Sequence, residues 1–364
     1  MVKAGLTGLG SFVPHPPANA LWLLPLAGLP PDMAKGLWSG LLVFVFALTA
    51  WLLVRLGLDP WLAIVVVLAP TLAVRNALAF GQPYPVLAAL LIAGALALRL
   101  NQPWLGGFLL GLGVCFKPYA LVLGALFLHR DRLRSLAGFT CGVVAPTLLL
   151  AALAGPEPFV EFFTRVLPWM ARGDIQDPFS LGWASLSSLI NRLFRFEPDL
   201  NPSPLLDTPL AAAFLRSALA CSLIVLGVLC GRRFIERDRP LDAVGAGTAF
   251  ALAASPFVAS YHLVLLAVPV AAVAGRLQGA RLASWLCASA VTGSSLILAF
   301  RSAEGGLWFL AFARFFALLV LALVVVWPVL NRSMAAAVVA FGAIAGIAAL
   351  PWGRNAEAWE RIDV

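Results

Sequence analysis

A single lysine within a long apolar stretch most constrains how this chain can fold. Lys117 is the only charged residue between Arg99 and His129, and a charge in the middle of a membrane-embedded segment costs about 2.5–3.5 kcal/mol. Pro118 follows it, and proline disfavours helical geometry at the residue before it. The sequence therefore predicts two short helices that meet at Lys117, which faces a cavity. The alternative is one kinked helix whose lysine extends to the membrane surface.

Basic residues flank this stretch on both sides. Arg99 precedes it, and Arg130, Arg132 and Arg134 follow it. Each half has about 12 residues, or roughly 18 Å of helix, which is too short to cross a ~30 Å bilayer core. Since basic loops stay on the cytoplasmic side of a membrane, the flanks predict a hairpin with Lys117 at its extracytoplasmic tip.

The composition defines the class of protein. Hydrophobic residues make up 62% of the 364 residues and charged residues 12%, whereas soluble domains carry about 25% charged residues. We therefore predict an all-α, polytopic helical membrane protein of the cell inner (plasma) membrane. The net charge of +8 is spread over short loops, so it indicates topology and contact with membrane lipids, and no nucleic-acid partner.

The five cysteines lie in apolar runs without a C-x-x-C motif. This pattern predicts neither a disulfide framework nor a zinc site, and no metal or cofactor is expected. The cysteines are Cys115, Cys141, Cys221, Cys230 and Cys287.

Changes in composition divide the chain into five parts. We predict an interfacial extracytoplasmic segment at 1–35, an N-terminal transmembrane module at 36–154, an extracytoplasmic loop with interfacial helices at 155–210, a C-terminal transmembrane module at 211–350 and a polar tail at 351–364. About ten full spans plus the hairpin are predicted. The spans are Leu37–Leu56, Trp61–Val74, Pro85–Leu98, Leu136–Ala154, Ala211–Cys230, Ala243–Ala254, Leu263–Ala274, Leu282–Phe300, Leu307–Leu330 and Met334–Leu350.

Polar residues collect at the predicted extracytoplasmic ends of these helices. They are Arg75, Asn76, Gln82, Lys117, Tyr119, Asn191, Arg192, Ser255, Tyr261 and His262. Cations and amides at a membrane surface suit a phosphate whose lipid chain stays in the bilayer. A simpler interpretation of Arg75 and Arg192 is that they are arginines that extend to the membrane surface. The simpler interpretation of His262 is a hydrogen-bonded structural histidine.

Five segments resemble glycosyltransferase family 87, whose members are membrane enzymes of the GT-C type. They are HPPANALWLLPLAGLPPDMAKGLW, NALAFGQPYPVLAALL, WLGGFLLGLGVCFKPYALVLGALFLHRDRLRS, SLSSLINRLF and AASPFVASYHLVLLAVP. They occur in the family's order and cover Pro14 to Pro269. One departure is the turn GQPYP, because many members have an asparagine shortly after the glutamine. Because of that departure, the resemblance does not predict that this turn recognises the sugar.

The resemblance implies inverting transfer of a sugar, mannose-like, from a polyprenyl-phosphate donor to a lipid or glycan acceptor at the extracytoplasmic face, without a tightly bound metal. It implies that Lys117, Gln82 and Arg192 hold the donor phosphate, with Arg75 and Asn76 beside them, and that His262 is a catalytic residue that orients phosphate or acceptor. Residues expected to contact substrate are His15, Tyr119, Asn191, Ser255 and Tyr261.

The sequence does not define which residue acts as the catalytic base. Transfer to a hydroxyl needs a proton acceptor, and the family keeps an aspartate in the loop after its first transmembrane helix. The sequence that begins at Met1 resembles the later part of that loop. We therefore expect that the family's first helix and its aspartate are missing and that catalysis is impaired. Asp32 is the candidate before the first span, although its LPPD context also suggests helix capping. Other acids that could substitute are Glu157, Glu161, Asp174 and Asp177.

Two alternatives to a transferase are a transporter or flippase of a lipid-linked sugar and a non-catalytic relative that binds lipid. A transporter would favour inverted repeats of spans, and none is found in the sequence. A transferase concentrates polar residues on one face, as is predicted here.

Overall fold

The computed structural model describes residues 15–172, 177–181, 185–296 and 305–354. The described residues form helices and no strands. The α-helices are α1 Pro31–Arg55, α2 Pro60–Leu68, α3 Thr71–Ala79, α4 Tyr84–Arg99, α5 Pro103–Leu112, α6 Leu133–Ala154, α7 Glu157–Glu161, α8 Leu167–Arg172, α9 Leu186–Phe194, α10 Pro209–Glu236, α11 Pro240–Ala254, α12 Ala267–Ala274, α13 Gly279–Thr292, α14 Ala313–Val326 and α15 Arg332–Arg354.

Shorter and more tightly wound 3₁₀ helices connect several of these elements. They are Pro17–Trp22, Leu24–Leu26, Gly113–Cys115, Pro118–Phe127, Arg130–Arg132, Ser260–Leu266, Gly305–Phe312 and Trp327–Val329, and a π-helical turn covers Phe162–Val166. Pro118–Phe127 is the longest of them at 10 residues. This return segment completes the predicted hairpin.

Helix packing shows that the hairpin forms. α5 and α6 run in the same direction, because Gly107 lies against Ser135 and Gly111 against Phe139. Pro118–Phe127 connects the end of α5 to the start of α6, so it must run in the direction opposite to both helices. Lys117 therefore lies at the tip. We call the end of the molecule that holds this tip the Lys117 end.

The opposite end carries the basic loops. Arg132 donates a hydrogen bond to the carbonyl of Ile235 at 3.5 Å, and Arg232 donates one to the carbonyl of Leu128 at 3.2 Å. The loops around Arg130–Arg134 and Arg232–Arg239 thus lie together. We call this the Arg232 end. Arg99 bonds the carbonyl of Leu56 in the same region, where α1 and α4 both finish.

The number of helices that can span a membrane is smaller than predicted. Within the described residues, five helices are long and apolar enough, or six if α2 and α3, which meet at 66°, count as one broken span. Several predicted spans are instead helices of 10–17 residues, among them α4 and α11. The structure therefore supports an all-α polytopic membrane protein, and the count of about ten spans is not confirmed.

One large apolar core joins the two predicted transmembrane modules. It contains Leu53 and Leu87 from the first module and Phe250 and Leu265 from the second, all fully buried. α11 and α12 are buried over nearly their whole length. This core supports the segments whose ends meet at the Lys117 end.

Candidate functional site

A cavity of about 170 Å³ lies at the Lys117 end. Its walls come from the hairpin tip, α8, α10 and the end of α11 with the segment that follows it. The polar residues that line it are Lys117, Tyr119, Ser255 and His262, and the other walls are mostly apolar. None of the described residues lining it is acidic.

Lys117 is buried in this cavity, with 2% of its surface exposed. Its backbone is extended (φ −150°, ψ 131°), as expected for a residue before proline. The ammonium nitrogen lies 5.7 Å from the centre of the Tyr84 ring and 5.9 Å from the centre of the Phe257 ring. Two aromatic faces therefore stabilise the cation within an apolar wall.

His262 presents one polar atom that has no partner in the described structure. The ring is 1% exposed, and its Nδ1 accepts a hydrogen bond from the backbone N–H of Ala259 at 3.1 Å. Because Nδ1 accepts, the proton of the neutral ring lies on Nε2. Nε2 is buried without a hydrogen-bond partner among the described residues. A ligand in the cavity can meet this N–H donor.

His15 joins the N-terminal segment to the hairpin tip. Its Nδ1 lies 3.0 Å from the carbonyl oxygen of Phe116, the residue before Lys117. Burial, and then the charge of Lys117, lower the pKa of His15 to about 4. Trp22 packs on Phe116 with ring centres 5.3 Å apart. The residues from His15 to Trp22 thus cover the tip.

All three tyrosines of the chain are at this end. Tyr84 contacts His262 and Tyr261, with ring centres 4.4 Å and 5.4 Å apart. The hydroxyls of Tyr84 and Tyr119 are buried without hydrogen-bond partners among the described residues. Sequence reasoning missed Tyr84, which we treated as part of a turn, and it also missed Phe257 and Met170. The chain has three tyrosines, and the other two were already predicted to contact substrate, which is the signal that could have found Tyr84.

Residues near the turn after α3 have different roles from one another. Gln82 lies beside His15, and its Oε1 is buried without a partner in the described structure. Asn76 donates a hydrogen bond to the Ser260 hydroxyl at 2.6 Å, which attaches α3 to Ser260–Leu266. Arg75 is exposed and does not line the cavity. The structure thus brings Gln82 towards the site, gives Asn76 a structural bond and leaves Arg75 outside.

The predicted residues of the long loop do not reach the cavity. Asn191 donates to the carbonyl of Pro178 at 3.2 Å, and Arg192 donates to the carbonyl of Phe179 at 2.6 Å. Both side chains therefore hold residues 177–181 against α9. Ser185, at the start of α9, bonds the carbonyl of Pro256, a residue that lines the cavity. α9 supports the cavity wall through this bond.

No described acid lines the cavity. Asp32 is exposed in the first turn of α1, where Pro30 is the N-cap residue and no side chain caps the helix. The predicted capping role of Asp32 is therefore wrong. Glu161 pairs with Arg165 at 3.3 Å, and Asp177 accepts the Phe179 N–H at 2.9 Å. Asp174 lies outside the described residues.

The protonation of His15 predicts how pH affects the N-terminal segment. A histidine whose pKa is about 4 when docked and about 6.5 when free stays neutral in place. Between these pH values only the free form of His15 binds the proton. Acidification therefore shifts the equilibrium towards release of the N-terminal segment from the hairpin tip, by up to about tenfold per pH unit. We expect hydrogen exchange of residues 16–27, corrected for intrinsic rates, to rise between pH 6.5 and 4. His15→Gln should remove this dependence, and an unchanged pH profile in that variant would contradict it.

Comparison with known proteins gives one match. The model of glycosyltransferase family 87 matches residues 12–256, which includes His15, Gln82, Lys117 and Ser255 and ends six residues before His262. No curated protein and no solved structure was found with significant similarity to the chain. The match covers about two thirds of the sequence, contains four of the five segments and ends within the fifth, and it confirms the resemblance to the family. The chain belongs to glycosyltransferase family 87.

Proposed function

We propose that this membrane glycosyltransferase transfers a mannose-like sugar from a polyprenyl-phosphate donor to a lipid or glycan acceptor, with inversion and in a GT-C-like fold. The observation that supports this most is that Lys117 and His262, whose Nε2 is buried without a partner among the described residues, line the same mostly apolar cavity. A buried cation and a nearby N–H donor are the groups that bind a phosphate oxygen. Apolar walls strengthen both interactions, because they lower the local dielectric constant.

The size of the cavity favours a small anionic group. Its volume of about 170 Å³ equals the liquid volume of about five or six water molecules. Pockets for drug-sized ligands have about 300–1,000 Å³, so the cavity suits the phosphate group better than the complete lipid-linked sugar. The phosphate would occupy the cavity, and the lipid chain would leave past Val122 and Ile224, which form its apolar wall.

The distribution of charge supports an extracytoplasmic position for the site. The loops at Arg130–Arg134 and Arg232–Arg239 lie together at the Arg232 end, and basic loops remain cytoplasmic. The Lys117 end then lies at the opposite membrane surface. A polyprenyl-phosphate sugar at that surface can enter from the bilayer.

The proposed reaction is a direct displacement. The acceptor hydroxyl attacks the anomeric carbon, the bond from that carbon to the phosphate oxygen breaks, and the configuration inverts. Negative charge grows on the leaving phosphate, where Lys117 and the Nε2–H of His262 stabilise it. The hydroxyl proton must pass to a base. Asp32 stays a prediction for this role, as do the loop acids Glu157, Glu161, Asp174 and Asp177.

The test of the proposed function compares donors. Purified protein in lipid nanodiscs should transfer labelled mannose from polyprenyl-phosphate-mannose to an extracted lipid acceptor, and should not use GDP-mannose. The same nanodiscs should bind the donor when acceptor is absent. Movement of intact donor across proteoliposome membranes without transfer would contradict the proposal and favour the flippase. Use of GDP-mannose would contradict the phosphate-linked donor.

His262 offers a second test that separates its two ring nitrogens. In His262→Asn, the amide oxygen can replace Nδ1 as acceptor for the Ala259 N–H, whereas no group replaces Nε2–H. We expect some loss of thermal stability, because the buried ring contacts Tyr84. In the folded variant we expect about a 10- to 100-fold loss in kcat/KM, since a hydrogen bond to a charged group contributes about 1.5–3 kcal/mol. Wild-type kcat/KM in this variant would show that Nε2 does not act on the substrate.

A further inference from the structure

A second cavity, of about 570 Å³, lies at the Arg232 end, far from Lys117. One wall is the end of α12 with Arg276 and Leu277 after it, and the other is α14 with Trp327 and Pro328. Arg276 is the only charged residue among those that line it, and the remaining walls are apolar. We call this cavity the α12–α14 groove.

The cations near the groove outnumber the acids that pair with them. Asp242 bonds Arg239 at 2.9 Å and Arg276 at 2.8 Å, so one carboxylate compensates two guanidinium groups. Arg237 adds a third cation at the rim, where it donates to the carbonyl of Pro328 at 3.4 Å. The Arg276 side chain remains 26% exposed. Glu236 pairs with Arg233 at 3.5 Å, and Asp238 lies between Arg237 and Arg239 in the sequence, so the mouth of the groove keeps a small excess of positive charge.

The depth of the groove in the membrane follows from α14. Phe309–Val329 is one of the helices long and apolar enough to span a bilayer, and Trp327 lies at its end with 76% of its surface exposed. Exposed tryptophans at the ends of spans sit at headgroup level. Val320, Leu323 and Val324, further inside the span, face the groove. An occupant thus meets cations at headgroup level and apolar side chains below them.

We propose that the α12–α14 groove binds one anionic phospholipid from the bilayer. Its phosphate contacts Arg276 and Arg237, and an acyl chain lies against Val320 and Val324. Charge complementarity selects an anionic over a zwitterionic headgroup, because each nearby arginine favours an anionic lipid by about fivefold. The site is separate from the donor cavity and does not depend on the proposed transferase reaction.

Native mass spectrometry of the full chain, released from nanodiscs with equal phosphatidylglycerol and phosphatidylcholine, tests this. We expect one retained lipid, with phosphatidylglycerol preferred by at least about tenfold. Arg237→Gln and Arg276→Gln should each reduce that preference about fivefold. Arg281→Gln is the matched control, because Arg281 is an exposed arginine of α13 outside the groove, and it should retain wild-type preference. Arg237 makes one long hydrogen bond, to the Pro328 carbonyl, so Arg237→Gln is expected to fold. It therefore tests the proposal even if Arg276→Gln does not fold.

Val324→Trp tests occupancy of the groove itself. Val324 is 39% exposed, so the larger side chain can enter the groove without displacing the core, and retention of either lipid should be lost. Equal retention of both lipids by the wild type, or retention of phosphatidylglycerol by Val324→Trp, would overturn the proposal. A cross-linked dimer that Val324→Trp abolishes would also overturn it, because a second copy of the chain would then fill the groove.

Discussion

Replacing Lys117 with alanine is expected to weaken binding of a polyprenyl-phosphate sugar by about 10- to 100-fold. The variant removes the buried ammonium group that lines the donor cavity. A hydrogen bond to a charged group contributes about 1.5–3 kcal/mol, and every 1.4 kcal/mol is about a tenfold change in affinity. Binding of a fluorescent polyprenyl phosphate in nanodiscs measures the loss. Transfer should fall by at least as much, since the same cation stabilises the leaving phosphate.

Lys35→Ala is the matched control for this experiment. Lys35 is an exposed residue near the start of α1 and does not line the cavity, so its removal changes the net charge equally and should leave affinity unchanged. Lys117→Arg should not restore binding, because the planar guanidinium differs from an ammonium in shape and reach. If Lys117→Ala binds the donor with wild-type affinity, or if both alanine variants lose it equally, Lys117 does not hold the phosphate.

The hairpin could be predicted because its cause is local. Pro118 excludes helical geometry at Lys117 through contacts between adjacent residues, and the basic flanks constrain both ends to one side. These effects need no knowledge of distant contacts. The extended backbone of Lys117 and the parallel packing of α5 and α6 agree with that interpretation.

The number of spans and the site contacts depend on distant parts of the chain. The apolar sequence of α11 predicts a span. A short helix that is buried by its neighbours is as apolar as a membrane span, and α11 has only 15 residues. The family resemblance placed Arg192 at the phosphate, whereas in the structure its side chain donates a hydrogen bond to the Phe179 carbonyl. Tyr84 contacts His262, 178 positions away, with the ring planes tilted at 53°, and no local pattern around GQPYP predicts that contact.

Replacing Gly107 with alanine is expected to have the largest effect on stability. A Cβ atom there would lie 1.9 Å from the carbonyl oxygen of Ser135 in α6, which is backbone and cannot rotate away. Overpacking costs about 1–3 kcal/mol, occasionally more, and each kcal/mol lowers the Tm of a large domain by about 2–4 °C. We expect a fall in Tm of about 5–10 °C in detergent. Donor binding should also weaken, because α5 leads directly to Lys117.

The reason for this sensitivity is that α5 and α6 touch through their backbones. Small residues let membrane helices approach closely, and Gly138 on α6 makes the reciprocal contact, since a Cβ there would lie 2.0 Å from the carbonyl of Trp104. Gly138→Ala should therefore destabilise the protein as Gly107→Ala does. Gly40→Ala is the control, because no atom lies within 4 Å of its Cβ position in α1, and alanine is the better helix former by about 1 kcal/mol. Its Tm should be unchanged or higher. Equal Tm values for the Gly107, Gly138 and Gly40 variants would mean that the two helices are not in backbone contact, and the hairpin tip would then lack the support that positions Lys117.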